Sequence, residues 1–151
     1  MRGSAINAIL STPRGLTILA VLFVPLWCAT CFYVSWVSGW LVLARRFRTQ
    51  SEAPGEVRTT GSILFMRFWS HYGSVVRLIG QQDAMYASVF FLFRIGHPPL
   101  RIPWDEIRFD RTRFFFRTYC VLTLGNEEKI PMRISVRMAR NLGILDRYPA
   151  S

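Results

Sequence analysis

The chain has 151 residues, 51% of them hydrophobic, and carries a formal net charge of +10. That length holds one small domain beside an apolar segment and is too short for two. The three cysteines, Cys28, Cys31 and Cys120, form no even, spaced framework, which excludes a disulfide-stapled scaffold.

Of the 19 basic residues 18 are arginine, and only Lys129 is lysine. A coding bias accounts for that preference; the functional alternative is contact with phosphate, which arginine grips with two parallel hydrogen bonds. From residue 45 onward 17 basic residues stand against 9 acidic ones, a net +8. Such a charge suits anionic lipid, nucleic acid or an acidic protein partner.

Residues 1–15 read as a short leader. Residues 16–44 follow as 29 consecutive residues without a charge. As a helix they span ~43 Å at 1.5 Å per residue, against about 30 Å for the hydrocarbon core of a bilayer. Trp36 and Trp40 fall near one end, where aromatic belts sit. The stretch is too long for the core of a cleaved signal peptide and no small-residue cleavage site follows it. It reads as an uncleaved, single-pass signal anchor, with Pro25 as a kink or as the start of its regular part. Arg45, Arg46 and Arg48 outweigh Arg2 and Arg14 across it, which puts the C-terminal part in the cytoplasm. Within the anchor, Cys28 and Cys31 have redox-motif spacing but read as small apolar residues. Ser35 and Gly39 form a small-xxx-small pair suited to a second helix, hence a homodimer candidate.

Residues 45–60 read as a basic juxtamembrane linker with a turn at Pro54-Gly55. Residues 61–146 then switch to short runs of Val, Ile, Phe and Tyr separated by turn residues. Seven strands are expected, over 62–69, 74–79, 85–93, 100–104, 107–116, 118–124 and 129–134. The seventh alternates cleanly, Ile130, Met132 and Ile134 against Lys129, Pro131 and Arg133. Pro131 donates no ladder hydrogen bond and favours an edge position. Ser135 is an N-cap for a helix whose stripe is Met138, Leu142 and Leu145, ending near Gly143. Residues 147–151 form a tail.

Seven strands followed by one helix is the element order of a pleckstrin-homology-like (PH-like) barrel. The segment Gly96-His97-Pro98-Pro99-Leu100-Arg101-Ile102-Pro103-Trp104-Asp105-Glu106-Ile107 resembles one found in a family of uncharacterised bacterial proteins with an N-terminal membrane helix. Gly39-Trp40, Leu43-Ala44, Phe47-Arg48, Met85-Tyr86-Ala87-Ser88 and Phe91-Leu92-Phe93-Arg94 resemble the same family. The resemblance implies a membrane-tethered PH-like domain in the bacterial inner membrane, and brings no catalytic residues. The expected fold class is α+β: an N-terminal transmembrane helix, then a small seven-stranded PH-like β-barrel closed by a C-terminal helix. The segment also makes sense as structure. Pro98-Pro99 stiffens the loop, Leu100 and Ile102 alternate into a core, Trp104 supplies a large buried surface, and Asp105 and Glu106 fit a corner between strands.

Chemistry is sparse. His71 and His97 fall in predicted loops and read as solvated turn residues. No Cys/His cluster completes a metal site, and no nucleophile elbow, P-loop or dinucleotide fingerprint occurs. No cofactor is expected. Asp105 and Glu106 are the sharpest enzymatic idea, but adjacent strand residues point to opposite faces. Arg67 and Arg77 flank the first hairpin loop, where lipid-reading PH domains hold headgroups. With Arg45, Arg46 and Arg48 they are the candidate contacts for anionic lipid or a partner; the plainer reading of Arg67 and Arg77 is solvated strand ends. Arg108, Arg111, Arg113 and Arg117 read as outward residues that blunt strand pairing. Aromatic and basic residues interleave as on single-strand binders, yet so small a barrel needs its aromatics inside, and nucleic acid is not expected. The function expected is a membrane-tethered, non-enzymatic interaction module with a protein partner. The alternatives are a membrane-surface or headgroup sensor, and an enzyme using Asp105 or Glu106.

Overall fold

The computed structural model describes residues 12–51, 65–67, 70–114 and 117–148. The leader before Thr12, most of the predicted linker (52–60), parts of the first and fifth predicted strands (62–64, 68–69, 115–116) and residues 149–151 lie outside the described residues.

Helix α1 runs from Pro13 to Ser38. It begins ahead of the apolar run because Thr12 caps it, the hydroxyl accepting from the Gly15 amide at 3.2 Å. Pro13 occupies the first turn, where a missing amide costs nothing. Pro25 is carried inside the helix. This one helix is long and apolar enough to cross a membrane. It stops at Gly39, which has φ +83°, a conformation that favours glycine. A Cβ there would lie 2.8 Å from Ile130 Cδ1, so the close approach also needs glycine.

Helix α2, Trp40–Phe47, starts directly after the break. The single helix expected to reach Ala44 is therefore two helices. Gly39 ends the first, and Trp40, Leu43, Ala44 and Phe47, at i, i+3, i+4 and i+7, bury one stripe of the second in the domain core.

Among the described residues eight short strands follow. One antiparallel sheet contains β1 (Phe65–Met66), β2 (Ser70–His71), β6 (Ile107–Phe114), β7 (Arg117–Leu124) and β8 (Ile130–Ser135), in the order β2-β1-β8-β7-β6. The other contains β3 (Val76–Gly80), β4 (Ala84–Val89) and β5 (Leu100–Pro103), in chain order. Among the described residues no pairing joins the two sheets, and the strands do not close into one seven-stranded barrel. The expected second strand begins later because Gly73–Val75 form a 3-10 turn. The third ends at Val89 instead of Phe93, because Phe91–Phe93 turn away against α1. The predicted corner at Asp105 and Glu106 is a 3-10 turn, Trp104–Glu106.

Strand β8 alternates as expected, with Ile130, Met132 and Ile134 buried and Pro131 and Arg133 exposed. It is not an edge strand in sheet order, since β7 and β1 flank it. Among the described residues β1 pairs with Met132 and Arg133, and Pro131 has its strand partner, Thr123, on the β7 side.

Helix α3 (Val136–Asn141) has the Ser135 cap, whose hydroxyl accepts from the Met138 amide at 3.2 Å. It ends at Gly143, φ +70°, and a second turn, α4 (Ile144–Arg147), follows. Met138 and Leu142 are buried as the stripe requires, while beyond the break the buried residue is Ile144 and Leu145 is only half-buried. Residues from α2, both sheets, α3 and α4 share a single core.

Leu43 is fully buried in that core, whereas Leu22 in mid-α1 is 66% exposed. Leu43→Ala is expected to cost about 2–5 kcal/mol of folding free energy, and Leu22→Ala about 0.5 kcal/mol or less. Urea unfolding of the two full-length variants, followed by near-ultraviolet circular dichroism, checks the contrast.

Candidate functional site

The junction between α1 and the domain concentrates the buried polar groups. Between Leu16 and Val34 the only buried residue is Cys31; Ser35 and Ser38 then continue the same face at i+4 and i+7. A serine buried on an apolar helix needs a partner, because an unmet hydroxyl costs free energy. The loop after β4 supplies one. The Ser35 hydroxyl donates to the Gly96 carbonyl. Gly96 has φ +79°, and a Cβ there would come within 3.2 Å of the Phe32 Cα, so glycine allows the loop backbone to lie on the helix. Two residues on, the Trp40 indole donates to the Pro98 carbonyl at 2.9 Å. Past α2, the Thr49 amide donates to the Pro99 carbonyl at 2.9 Å, and Arg48 bridges Leu100. The stiff Gly96–Pro99 loop is thus held by α1, α2 and the segment after it.

His97 sits inside this clasp and is 2% exposed. It is not the solvated turn residue its loop position suggests, because the rings of Trp40 and Tyr72 enclose it at 5.5 and 5.6 Å between centroids. The Tyr72 hydroxyl lies 2.6 Å from Ser38 Oγ and 3.0 Å from His97 Nε2. His97 Nδ1 faces the Ile95 carbonyl at 3.3 Å. A carbonyl only accepts, which assigns the ring proton to Nδ1 and leaves Nε2 to accept from Tyr72. The phenol proton is shared between Nε2 and the nearer Ser38 Oγ, and the Ser38 hydroxyl donates its own proton to the Ser35 carbonyl at 3.1 Å. The Ser38 oxygen also takes the Trp40 amide at 3.4 Å. Every member of the cluster finds a partner, as a buried network must.

The titration behaviour follows from burial. Loss of water pushes the Tyr72 phenol up to about 12, the Ser38 bond offsetting part of the rise. Burial likewise holds the His97 imidazole below its ordinary 6.5, with the carbonyls of Ile95 and Phe93 opposing. Both shifts favour the neutral forms near pH 7.

A second polar group ties the end of α2 to the sheet corner. Arg46 Nη2 meets Glu106 Oε1 at 2.6 Å, and Arg46 Nη1 lies 3.8 and 3.7 Å from Glu127 and Glu128. The other Glu106 oxygen accepts from the Asn126 amide at 2.9 Å. The Asp105 carbonyl accepts from the Asn126 side chain at 3.3 Å. Arg46 is partly exposed, so its pairing is worth about 1 kcal/mol or less.

The remaining candidate contacts are dispersed. Arg45 and Arg48 are exposed at the end of α2. Arg67 is exposed beside β1, in the five-stranded sheet. Arg77 is exposed on β3, in the three-stranded sheet, opposite Ser88. Of the second arginine group, Arg108 and Arg111 are exposed on β6, while Arg113 and Arg117 stand opposite Thr118 and Phe114 at the hairpin end. Ser35 and Gly39, the small pair suited to a second helix, are taken up by Gly96 and Ile130 of the same chain. Among the described residues no group of three His, Cys, Asp or Glu side chains gathers to hold a metal ion.

Sequence reasoning missed Ser38, Tyr72 and His97 as a group. The one available signal was Ser35 and Ser38, two serines three residues apart at the end of a largely apolar helix. No family model, curated protein or solved structure matches the chain.

Tyr72→Phe removes the hydroxyl that joins Ser38 to His97 and is expected to cost about 1–3 kcal/mol, read by urea unfolding of the full-length chain. The neutral His97 gives a pH signature of its own. Its folded pKa lies below 6.5, so the unfolded chain takes the proton first as pH falls. Its stability is full above the unfolded value and is lost as pH drops from there through the folded one. The unfolding midpoint is expected to be lower at about pH 5.5 than at about pH 7.5, with His97→Asn flattening the difference.

Proposed function

We propose that this protein is a membrane-tethered, non-enzymatic interaction module, held against the bilayer by α1 on one side and presenting its sheets to a protein partner on the other. The observation that carries the reading is the exposure of α1. Leu16, Ile18, Leu19, Val21, Leu22 and Phe23 are each half-exposed or more in a helix long enough to span. Water does not tolerate an apolar face of that extent, and hydrocarbon does. In a soluble core helix these side chains would be covered.

The positive flank of α1 favours a cytoplasmic domain in a bacterial inner membrane. A PH-like arrangement is the finer reading of the fold: β3-β4-β5 and β6-β7-β8 are two meanders, and a capped helix follows the last strand. In this reading α2 takes over part of the core that a closed barrel would fill with strand residues. A structural role for Glu106 is supported by its engagement with Arg46 and the Asn126 amide, which argues against the enzymatic alternative. Use of Ser35 and Gly39 within the chain favours a single helix over a helix-paired homodimer.

A second reading, a sensor of anionic headgroups, draws on Arg45 and Arg48, exposed just beyond the membrane-side junction. Each contributes about 1 kcal/mol near an anionic surface. Arg46 is drawn to carboxylates instead, and Arg67 and Arg77 stand on different sheets, which weakens the headgroup pocket as a unit.

Alkaline carbonate extraction tests the anchor. The full chain is expected to stay in the membrane pellet and to leave it only with detergent. A variant with Leu19, Leu22 and Leu26 replaced by Lys is expected in the supernatant. Release of the unaltered chain by carbonate alone overturns the reading.

A further inference from the structure

The loop after β4 does something its sequence conceals. Phe90–Phe93 end an apolar run that reads as strand, yet Phe90–Ile95 leave the sheet, make one 3-10 turn and lie along α1. The Trp27 indole donates to the Leu92 carbonyl at 3.2 Å, and its ring lies 5.1 Å from that of Phe93. The outward side of the turn is apolar. Phe91 is 66% exposed, Leu92 50%, and Phe90 and Ile95 39% each.

Depth follows from where the turn meets the helix. Trp27 lies nine residues before Trp36, about 13 Å along the axis. Tyr33 and Trp36 are an exposed aromatic pair at the domain end of the apolar stretch, the level of a headgroup belt. From Leu16 to Trp27 is about 17 Å, well short of the ~30 Å core of a bilayer. A bilayer placed low enough to exclude the Trp27 level would have to take Arg14 into its hydrocarbon. Any placement that spares Arg14 puts the turn inside.

Part of the turn's backbone is paired, in a medium where unmet polar groups are costly. The Phe93 and Arg94 amides donate to the carbonyls of Phe90 and Phe91 at 2.8 and 3.2 Å, and the His97 amide to that of Arg94 at 3.0 Å. The carbonyls of Leu92, Ile95 and Gly96 face Trp27, His97 and Ser35. Arg94, the one charge in the segment, has a stem long enough to carry its guanidinium toward the phosphates.

We propose that Phe90–Ile95 is a second membrane-inserted element, a wedge sunk into the acyl chains of the domain-side leaflet beside α1. The inference rests on the reading of α1 as a membrane span. Two insertions joined by the Gly96–Pro99 clasp hold the domain on the bilayer in one orientation, where a helix alone would let it swing.

The test uses the full-length chain with its three cysteines changed to alanine, reconstituted in phosphatidylcholine vesicles. A single cysteine, Phe91→Cys, carries an environment-sensitive fluorophore, and nitroxide-bearing lipids are the quencher. Leu92→Cys is a second position in the wedge, Leu22→Cys reports the span, and Gln82→Cys reports the exposed turn at the far end of β4. The expected result is loss of most emission at positions 91, 92 and 22, and none at 82. Quenching at 22 with positions 91 and 92 behaving like 82 overturns the wedge and leaves the span standing. A blue-shifted but unquenched label at 91 and 92 also overturns it, and assigns the patch to a second copy or another protein. No quenching at 22 removes the span and the wedge with it.

Discussion

The burial of α2 in the core it shares with the two sheets is the contact on which the rest of the structure depends. A helix that entered the domain in line with α1 would leave Trp40 and Leu43 on the same exposed surface as Leu22. Gly39 prevents this. Its left-handed conformation and missing Cβ end α1 against Ile130, and the chain restarts as a helix whose apolar stripe faces inward. The residues that make the domain core therefore come partly from the segment that looks, by composition, like the end of an anchor.

Burying that segment creates a second demand. The Trp40 indole, the hydroxyls of Ser35 and Ser38 and the Tyr72 phenol all leave water together, and each needs a partner. The Gly96–Pro99 loop answers with carbonyls from Gly96 and Pro98 and with the His97 ring. A rigid, proline-stiffened loop suits this task, since its carbonyls are already set and little freedom is lost in docking. The clasp fixes the domain to α1 directly, without a flexible hinge at that point.

The electrostatics support the same division. Arg46 turns toward Glu106, Glu127 and Glu128 and strengthens the junction, while Arg45 and Arg48 remain outward. Within the positive flank that follows the apolar helix, Arg46 attaches α2 to the sheet corner. The positive charge of the sheets is spread over several strands. Spread charge of that kind favours broad attraction to an acidic surface over recognition of one small ligand.

Much was legible from the sequence because local rules decided it. The uncharged run after Arg14 specified an apolar helix of membrane-spanning length. Alternation in 130–134 set the inward face of β8, and Ser135 marked the start of α3, because side-chain period and capping act over a few residues. Trp104, Leu100 and Ile102 were readable as core for the same reason. The tertiary structure alone decided the rest. Tyr72 and His97 are 25 residues apart and Ser38 lies 34 before Tyr72, so no local pattern announces their meeting. Phe91–Phe93 have strand composition, yet contact with Trp27 turns them out of the sheet. Gly39 reads as half of a small-residue pair for a second helix until Ile130 stands beside it. Composition by itself determined that an apolar helix and a β-rich domain share this chain. How they are joined was decided by packing between residues far apart in sequence, where the cost of unmet polar groups and empty space selects a single arrangement.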